Sequence, residues 1–240
     1  MSSQPKISVV IPVYNGSYYL ESCVMDLRAH FAERSIPYEL LIAEDGSTDG
    51  SKALCRELQA RYPELTLIQT EERLGRGESL RRAIRASTGD VVLYMDVDMA
   101  TDIRYLDPLI EHVTNGDDIA TGSRYLPGSF AKRSLPRLIA SHAYNRMVRL
   151  LLDSHVTDHQ CGFKAFKRES ILQLLPQVKA EDWFWDTEIL VQAQLGGFRV
   201  AEIPIEWAES PADRSTVKLA SDSFRFFFQV LRLRAELNLN

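Results

Sequence analysis

The chain has 240 residues, 45% hydrophobic and 25% charged, enough for one well-filled domain without disulfide or metal staples. Its formal net charge of −5 argues against nucleic acid as a partner, because a duplex needs a basic stripe. The three cysteines, Cys23, Cys55 and Cys161, are too scattered for a disulfide framework or a zinc site.

The opening MSSQPKISVVIPVY has no apolar core behind a basic stub and does not read as a signal peptide. No stretch approaches the roughly 20 apolar residues of a membrane span. The expected setting is therefore cytoplasmic, with any membrane contact peripheral. Ile7 to Val13 is a nearly continuous apolar run, the mark of a strand buried on both faces, and it ends at the turn Asn15-Gly16. Leu20, Val24, Leu27 and Phe31 recur at helical spacing. Tyr38 to Ala43 predicts a second strand, closed by the polar turn Glu44 to Asp49, where Ser47 or Thr48 is placed to cap a helix carrying Leu54 and Leu58. Leu65 to Gln69 predicts a third strand, Gly75 and Gly77 break the loop after it, and a helix from about Glu78 to Ser87 leads to a fourth strand, Val91 to Met95. This alternation implies right-handed βαβ units and a mostly parallel sheet flanked by helices, an α/β fold.

The second half is less regular. Helices are expected over Ile103 to Val113, Leu135 to Leu152 and Phe184 to Leu195, and strands over Asp118 to Thr121, Cys161 to Phe166 and Arg199 to Ile205. From residue 217 the pattern is helical, with Phe224, Phe227 and Leu231 on one face, Phe226, Val230 and Leu233 adjoining, and Arg225, Arg232 and Arg234 interspersed. Such a stripe suits a bilayer interface, and equally a helix docked on the body or a dimer contact. The expected division is a domain over 1–216, with a nucleotide-binding half near 1–100 and an acceptor half near 101–216, then an amphipathic tail over 217–240.

In an open parallel sheet, ligands bind beyond the carboxyl ends of the strands. Asp45 follows the second strand, and Asp96 with Asp98 follows the fourth. In an extended segment, alternate side chains point the same way, so Asp96 and Asp98 can share one divalent cation. Hard cations such as Mg²⁺ or Mn²⁺ take oxygen ligands and leave positions open for substrate phosphates.

The segments SVVIPVYNG, LIAEDGSTDGS and GDVVLYMDVDMATD, in this order and spacing, resemble the nucleotide-binding half of the inverting glycosyltransferases of family 2, which have the GT-A fold. GSRY (122–125), DHQCGFKAFKR (158–168), WFWDTEIL (183–190) and AEIPIEWAE (201–209) narrow the resemblance to dolichyl-phosphate glucosyltransferases and polyprenyl-phosphate mannosyl- and glucosyltransferases. The resemblance implies transfer of a sugar from UDP-glucose or GDP-mannose to a polyprenyl or dolichyl phosphate, with Mg²⁺ or Mn²⁺. It implies that Pro12, Tyr14 and Asn15 line the nucleoside pocket, that Glu44 and Asp45 meet base and ribose, and that Asp96 and Asp98 hold metal and diphosphate. Glu44 stands where relatives carry Asp, and Ala100 removes a side-chain ligand that relatives often supply. Arg124 and Arg133 are expected on phosphate, with Gln160 beside the acceptor, and Asp158 and Asp186 complete the catalytic set. The membrane role of the tail follows from the same resemblance. Cys161 is expected to be a packed residue.

Two other functions fit the same motifs: transfer to a hydroxyl acceptor, with Asp158 or Asp186 as base, and nucleotide-sugar binding without turnover. A nucleotidyltransferase would carry a basic phosphate loop after the first strand, and Tyr14-Asn15-Gly16-Ser17 has no basic residue.

Overall fold

In the computed structural model, which describes residues 4–209 and 219–239, the first four strands are β1 (Ile7–Val13), β2 (Tyr38–Asp45), β3 (Leu65–Thr70) and β4 (Val91–Met95). They are joined through α1 (Ser17–Arg34), α2 (Ser51–Arg61) and α3 (Arg76–Ala86). The chain continues through α4 (Leu106–Thr114), β5 (Ile119–Ser123), β6 (Phe130–Lys132), α5 (Leu135–Leu151), β7 (Phe163–Lys167), α6 (Arg168–Leu174), α7 (Trp185–Leu195), β8 (Val200–Pro204), β9 (Glu206–Ala208) and α8 (Leu219–Glu236).

Seven strands form one sheet in the order β3-β2-β1-β4-β7-β5-β8. β1, β2, β3 and β4 are mutually parallel, as the apolar runs predict, and β5 is parallel to β8. β7 alone in this sheet runs antiparallel, wedged between β4 and β5. Its register pairs Met95 with Phe163, so the loop leading into β7 arrives beside the carboxyl end of β4.

The strands are buried on both faces because helices cover both. On one face Ile7, Val9 and Ile11 pack with Leu20, Val24 and Leu27 of α1, Leu58 of α2, and Leu106 and Leu109 of α4. On the other, Val10, Leu41, Val92 and Tyr94 pack with Leu80 and Ile84 of α3, Ile171 of α6, and Trp185 and Ile189 of α7. Adjacent residues Val9 and Val10 thus serve opposite layers, the period-two alternation of a strand.

The expected cap of α2 is corrected: the helix begins at Ser51 behind Gly50, with no side-chain cap. Ser47 Oγ instead accepts the N–H of Asn15, and the N–H of Thr48 is taken by Asn15 Oδ1, because tertiary partners reached these groups first. α6 and the parallel ribbon of β6 with β9 were not legible in the sequence pattern; β6 and β9 are three residues each, too short for any periodicity.

The tail resolves into two faces. Phe226, Val230 and Leu233 are buried against Val148 of α5, Leu152 just after it, Phe184 just before α7 and Val191 of α7, so α8 is docked on the body. Phe224, Phe227, Phe228 and Leu231 remain exposed. Arg225 and Arg232 are ion-paired with Asp182 and Glu236. Residues 217, 218 and 240 of the expected tail, with 210–216 before it, lie outside the described residues. Among the described residues, no helix is long and apolar enough to cross a membrane.

Candidate active site

Most of the expected site residues lie at the carboxyl ends of β1, β2, β4 and β5 and the entrance to β7, while Arg133 follows β6 and Asp186 comes from α7. Pro12 on β1 is buried and Tyr14 just past it is half-buried, with the Arg73 guanidinium 3.8 Å from the Tyr14 ring centre, a cation–π stack. Asn15 sits at φ 54°, in the left-handed region that asparagine tolerates. Its side-chain oxygen accepts the N–H groups of Thr48 (2.8 Å) and Asp49 (3.3 Å), tying the loop after β1 to the loop after β2.

Glu44 and Asp45 are both interior. Glu44 Oε1 accepts the N–H of Ser47 at 2.6 Å, while Oε2 is buried without a partner. Asp45 accepts the N–H of Leu74 at 2.7 Å and that of Gly75 at 3.0 Å, which fixes the start of α3. Gly75 has φ 101°, and a Cβ there would collide with the carbonyl of Glu181. Only glycine allows this approach.

The geometric premise for Asp96 and Asp98 is corrected. The extended backbone stops at Met95, and the next residues turn: the N–H of Met99 bonds the carbonyl of Asp96 at 3.3 Å, with Met99 at φ 54°. A turn, and not strand alternation, presents the two carboxylates. Val97 between them packs into the core, and Asp98 accepts the N–H of Ala100 at 3.1 Å. Both carboxylates act on the buried thiol of Cys23: burial first, then Asp26, Asp98 and Asp96, push its pKa up.

Arg76, in the first turn of α3, is the site residue that pattern reasoning missed. Its Nη1 lies 2.6 Å from Asp96 Oδ1 and its Nε 3.5 Å from Asp186 Oδ2. Burial opposes its charge, but the two carboxylates outweigh burial and raise its pKa. The available signal was a basic residue between two glycines, Gly75 and Gly77, at a helix start. Gly162, in the loop entering β7, completes the arrangement, since a Cβ there would collide with the Asp96 carboxylate and the Arg76 guanidinium.

Asp186 is fully enclosed. Tyr94 donates its hydroxyl proton to Oδ1, and the Lys164 ammonium lies 2.9 Å from the same oxygen. Burial raises its pKa to about 7, against the pull of Arg76. Burial likewise lowers Lys164 to about 8. Glu188 points elsewhere and accepts the N–H groups of Lys179 and Ala180 at 3.0 and 2.7 Å.

Arg124, after β5, is gripped by Asp158: Nε at 2.7 Å, Nη2 at 2.8 Å, and its own N–H at 3.1 Å. Burial raises the carboxyl of Asp158, but Arg124 overrides it and the net shift is downward. Arg133 and Arg124 both approach the Trp207 indole, their guanidinium carbons 5.2 and 5.6 Å from the ring centre. Arg133 donates from Nη1 to Ser141 at 2.7 Å, and its Nε is buried without a partner. Gln160 donates to Thr187 (2.8 Å) and to the Trp183 carbonyl (3.2 Å), bracing the loop against α7. Cys161 is packed, its thiol pushed up to about 12 by burial.

The donor set at Asp96 and Asp98 is two hard carboxylate oxygen groups; among the described residues, no cluster of three or more His, Cys, Asp or Glu side chains could hold a metal. With a guanidinium already seated on Asp96 as a stand-in cation, these residues fit Mg²⁺ or Mn²⁺ with ligand oxygens filling the other positions.

A sheet of this order, with carboxylates in the turn past β4 and arginines past β5, has the GT-A fold seen in solved glycosyltransferases. Residues 8–175 match Glycosyl transferase family 2, and the chain belongs to that family. Glycosyltransferase AglD of Haloferax volcanii is 42% identical over 231 residues, covering 95% of this chain and 36% of that protein. The dolichyl-phosphate beta-glucosyltransferase of Dictyostelium discoideum is 31% identical over 244 residues (94% of this chain, 75% of the relative), and that of Saccharomyces cerevisiae 29% over 251 residues (95% and 74%). The chain thus spans about a third of the archaeal relative and about three quarters of the other two. Glucosyl-3-phosphoglycerate synthase from Mycobacterium tuberculosis, solved with Mn²⁺, uridine-diphosphate and phosphoglyceric acid, shares the fold with a TM-score of 0.69 at 21% identity, covering 96% of this chain and 78% of that one.

Proposed function

We propose that the enzyme transfers a hexose, with inversion, from UDP-glucose or GDP-mannose to a polyprenyl or dolichyl phosphate. The observation that carries the acceptor is the pair Arg124 and Arg133, both beside Trp207, with Arg133 Nε buried and unpaired. Guanidinium forks match phosphate oxygens, and a buried unpaired donor is costly until an anion meets it. The names of the Dictyostelium and yeast relatives support the same acceptor class.

In this reading Tyr14, Asn15, Glu44 and Asp45 frame the nucleoside beside Pro12, while Asp96, Asp98 and Arg76 face the diphosphate. A divalent cation at Asp96 and Asp98 supplies charge stabilisation for the departing diphosphate. Arg124 and Arg133 orient the acceptor phosphate. Its oxygen is already anionic near pH 7, so no side chain has to remove a proton. Asp158 then serves to hold Arg124's fork in place, and Gln160 to brace the loop. Residues 1–100 provide the donor side and 101–216 the acceptor side. The exposed Phe224, Phe227, Phe228 and Leu231 of α8 rest on the cytoplasmic face of a membrane, with Leu135 and Ile139 of neighbouring α5 also exposed.

A radiolabelled transfer assay tests this, offering UDP-glucose, GDP-mannose and UDP-N-acetylglucosamine against a polyprenyl phosphate and against a hydroxyl acceptor, with Mg²⁺, Mn²⁺ or chelator. Label should enter the lipid phosphate from one donor, vanish with chelator, and fall on the order of a hundredfold in Asp98→Asn with the fold retained. Label entering the hydroxyl acceptor alone would overturn the reading.

A further inference from the structure

Arg76 is held in a way that a purely structural arginine would not be. Only 9% of its side chain is exposed, and its guanidinium lies 4.5 Å from the Trp183 ring centre and 5.5 Å from that of Tyr94. It makes one close contact, to Asp96, and a longer one, to Asp186. Nε and Nη2 are buried with no hydrogen-bond partner. Buried donors are normally satisfied, so a wholly unmet Nη2 beside an Nε that reaches Asp186 only at 3.5 Å points to an absent anionic acceptor. They lie at the first turn of α3, whose helix dipole also favours an anion.

The same arginine covers Asp96. A divalent cation on that carboxylate and a guanidinium 2.6 Å from it repel each other, so both cannot hold it in full. Asp186 offers Arg76 a second anchor that stays put, because its other oxygen is fixed by Tyr94 and Lys164.

We propose that Arg76 is the resident counter-ion of Asp96: it screens that carboxylate from free divalent cations, and yields it when a cation arrives with the donor diphosphate. The diphosphate oxygens then accept from the unmet Nη2 and the released Nη1, while Asp186 retains the arginine through Nε. Cation and nucleotide therefore bind as a coupled pair, and cation alone binds weakly. This inference rests on the metal–diphosphate reading of Asp96 and Asp98.

Mn²⁺ binding to the whole chain, followed by loss of the free-ion electron paramagnetic resonance signal with and without UDP, separates the possibilities. Wild type should bind Mn²⁺ weakly alone and at least about tenfold more tightly with UDP. Arg76→Gln should bind Mn²⁺ alone about tenfold more tightly than wild type and lose most of the UDP effect. Arg76→Lys, which keeps the charge, should stay within about threefold of wild type for Mn²⁺ alone. Arg76→Gln binding Mn²⁺ no better than wild type overturns the proposal, as does Arg76→Lys binding it as tightly as expected for the glutamine variant. Should Arg76→Gln fail to fold, wild-type affinity for Mn²⁺ that is the same with and without UDP overturns it equally. Wild type taking up no Mn²⁺ even with UDP would instead sink the underlying metal-site reading.

Discussion

Asp45 and Asp158 are both buried carboxylates at the same edge of the sheet, yet they are held by different partners. Asp45, in the first half, accepts two backbone N–H groups, from Leu74 and Gly75. Asp158, in the second half, accepts both prongs of the Arg124 guanidinium. The contrast recurs at some residues of each half but is not general, since Asp96 pairs with Arg76 and Glu188 accepts backbone N–H groups. Asn15 and Glu44 bond backbone N–H groups of the next loop, whereas Asp186 is met by Lys164 and Arg76. Backbone partners come with the fold and impose only a local shape. Ion-pair partners leave a full charge buried when one member is lost, so Asp158 is a more brittle place to cut than Asp45.

The largest expected effect is therefore Asp158→Ala. It strands Arg124 without its counter-ion and should lower unfolding free energy by about 3–5 kcal/mol, read by urea denaturation. Next comes His159, buried between Asn145 and Ser154, whose pKa burial lowers from 6.5 to about 3. Between those values the unfolded chain takes up a proton that the folded chain refuses. Stability is therefore lost as pH falls from 6.5 towards 3. The loss from this group between pH 6.5 and 4.5 should be on the order of 1–3 kcal/mol, and His159→Gln should have a shallower slope over that range. Asp45→Asn, which keeps one carbonyl acceptor for the backbone, should cost only about 1–2 kcal/mol. Equal losses from Asp45→Asn and Asp158→Ala would erase the distinction between the two carboxylates. Smallest in stability is Phe224→Ser with Phe228→Ser, at rings 68% and 52% exposed, which should change unfolding free energy by less than about 0.5 kcal/mol. The same pair should nevertheless abolish co-sedimentation with anionic liposomes if α8 rests on a membrane.

The first four strands, the helix face of Leu20, Val24, Leu27 and Phe31, and the position of Asp96 and Asp98 were all legible in the sequence. Each depends on neighbours within a few positions: a buried run, a 3.6-residue period, a polar break after a strand. Ser47 and Thr48 misled because their groups were claimed by Asn15, 32 and 33 residues earlier, and a local capping rule cannot anticipate a distant competitor. The turn at Asp96 to Met99 was hidden for a related reason: an Asp-Val-Asp triplet looks the same extended or bent.

What the chain by itself determined is the alternation of strands and helices and which polar residues cap the strand ends, since burial and periodicity are written residue by residue. What only the tertiary structure decided is which charges meet. The antiparallel insertion of β7 brings Gly162 against Asp96, and the docking of α7 brings Asp186 to Arg76, Tyr94 and Lys164. A charge acts through space on whatever the fold sets beside it, so sequence separation says nothing about its partner. The two faces of α8, one buried against α5 and α7 and one open, were settled in the same way, by what stood next to the helix once the chain had closed.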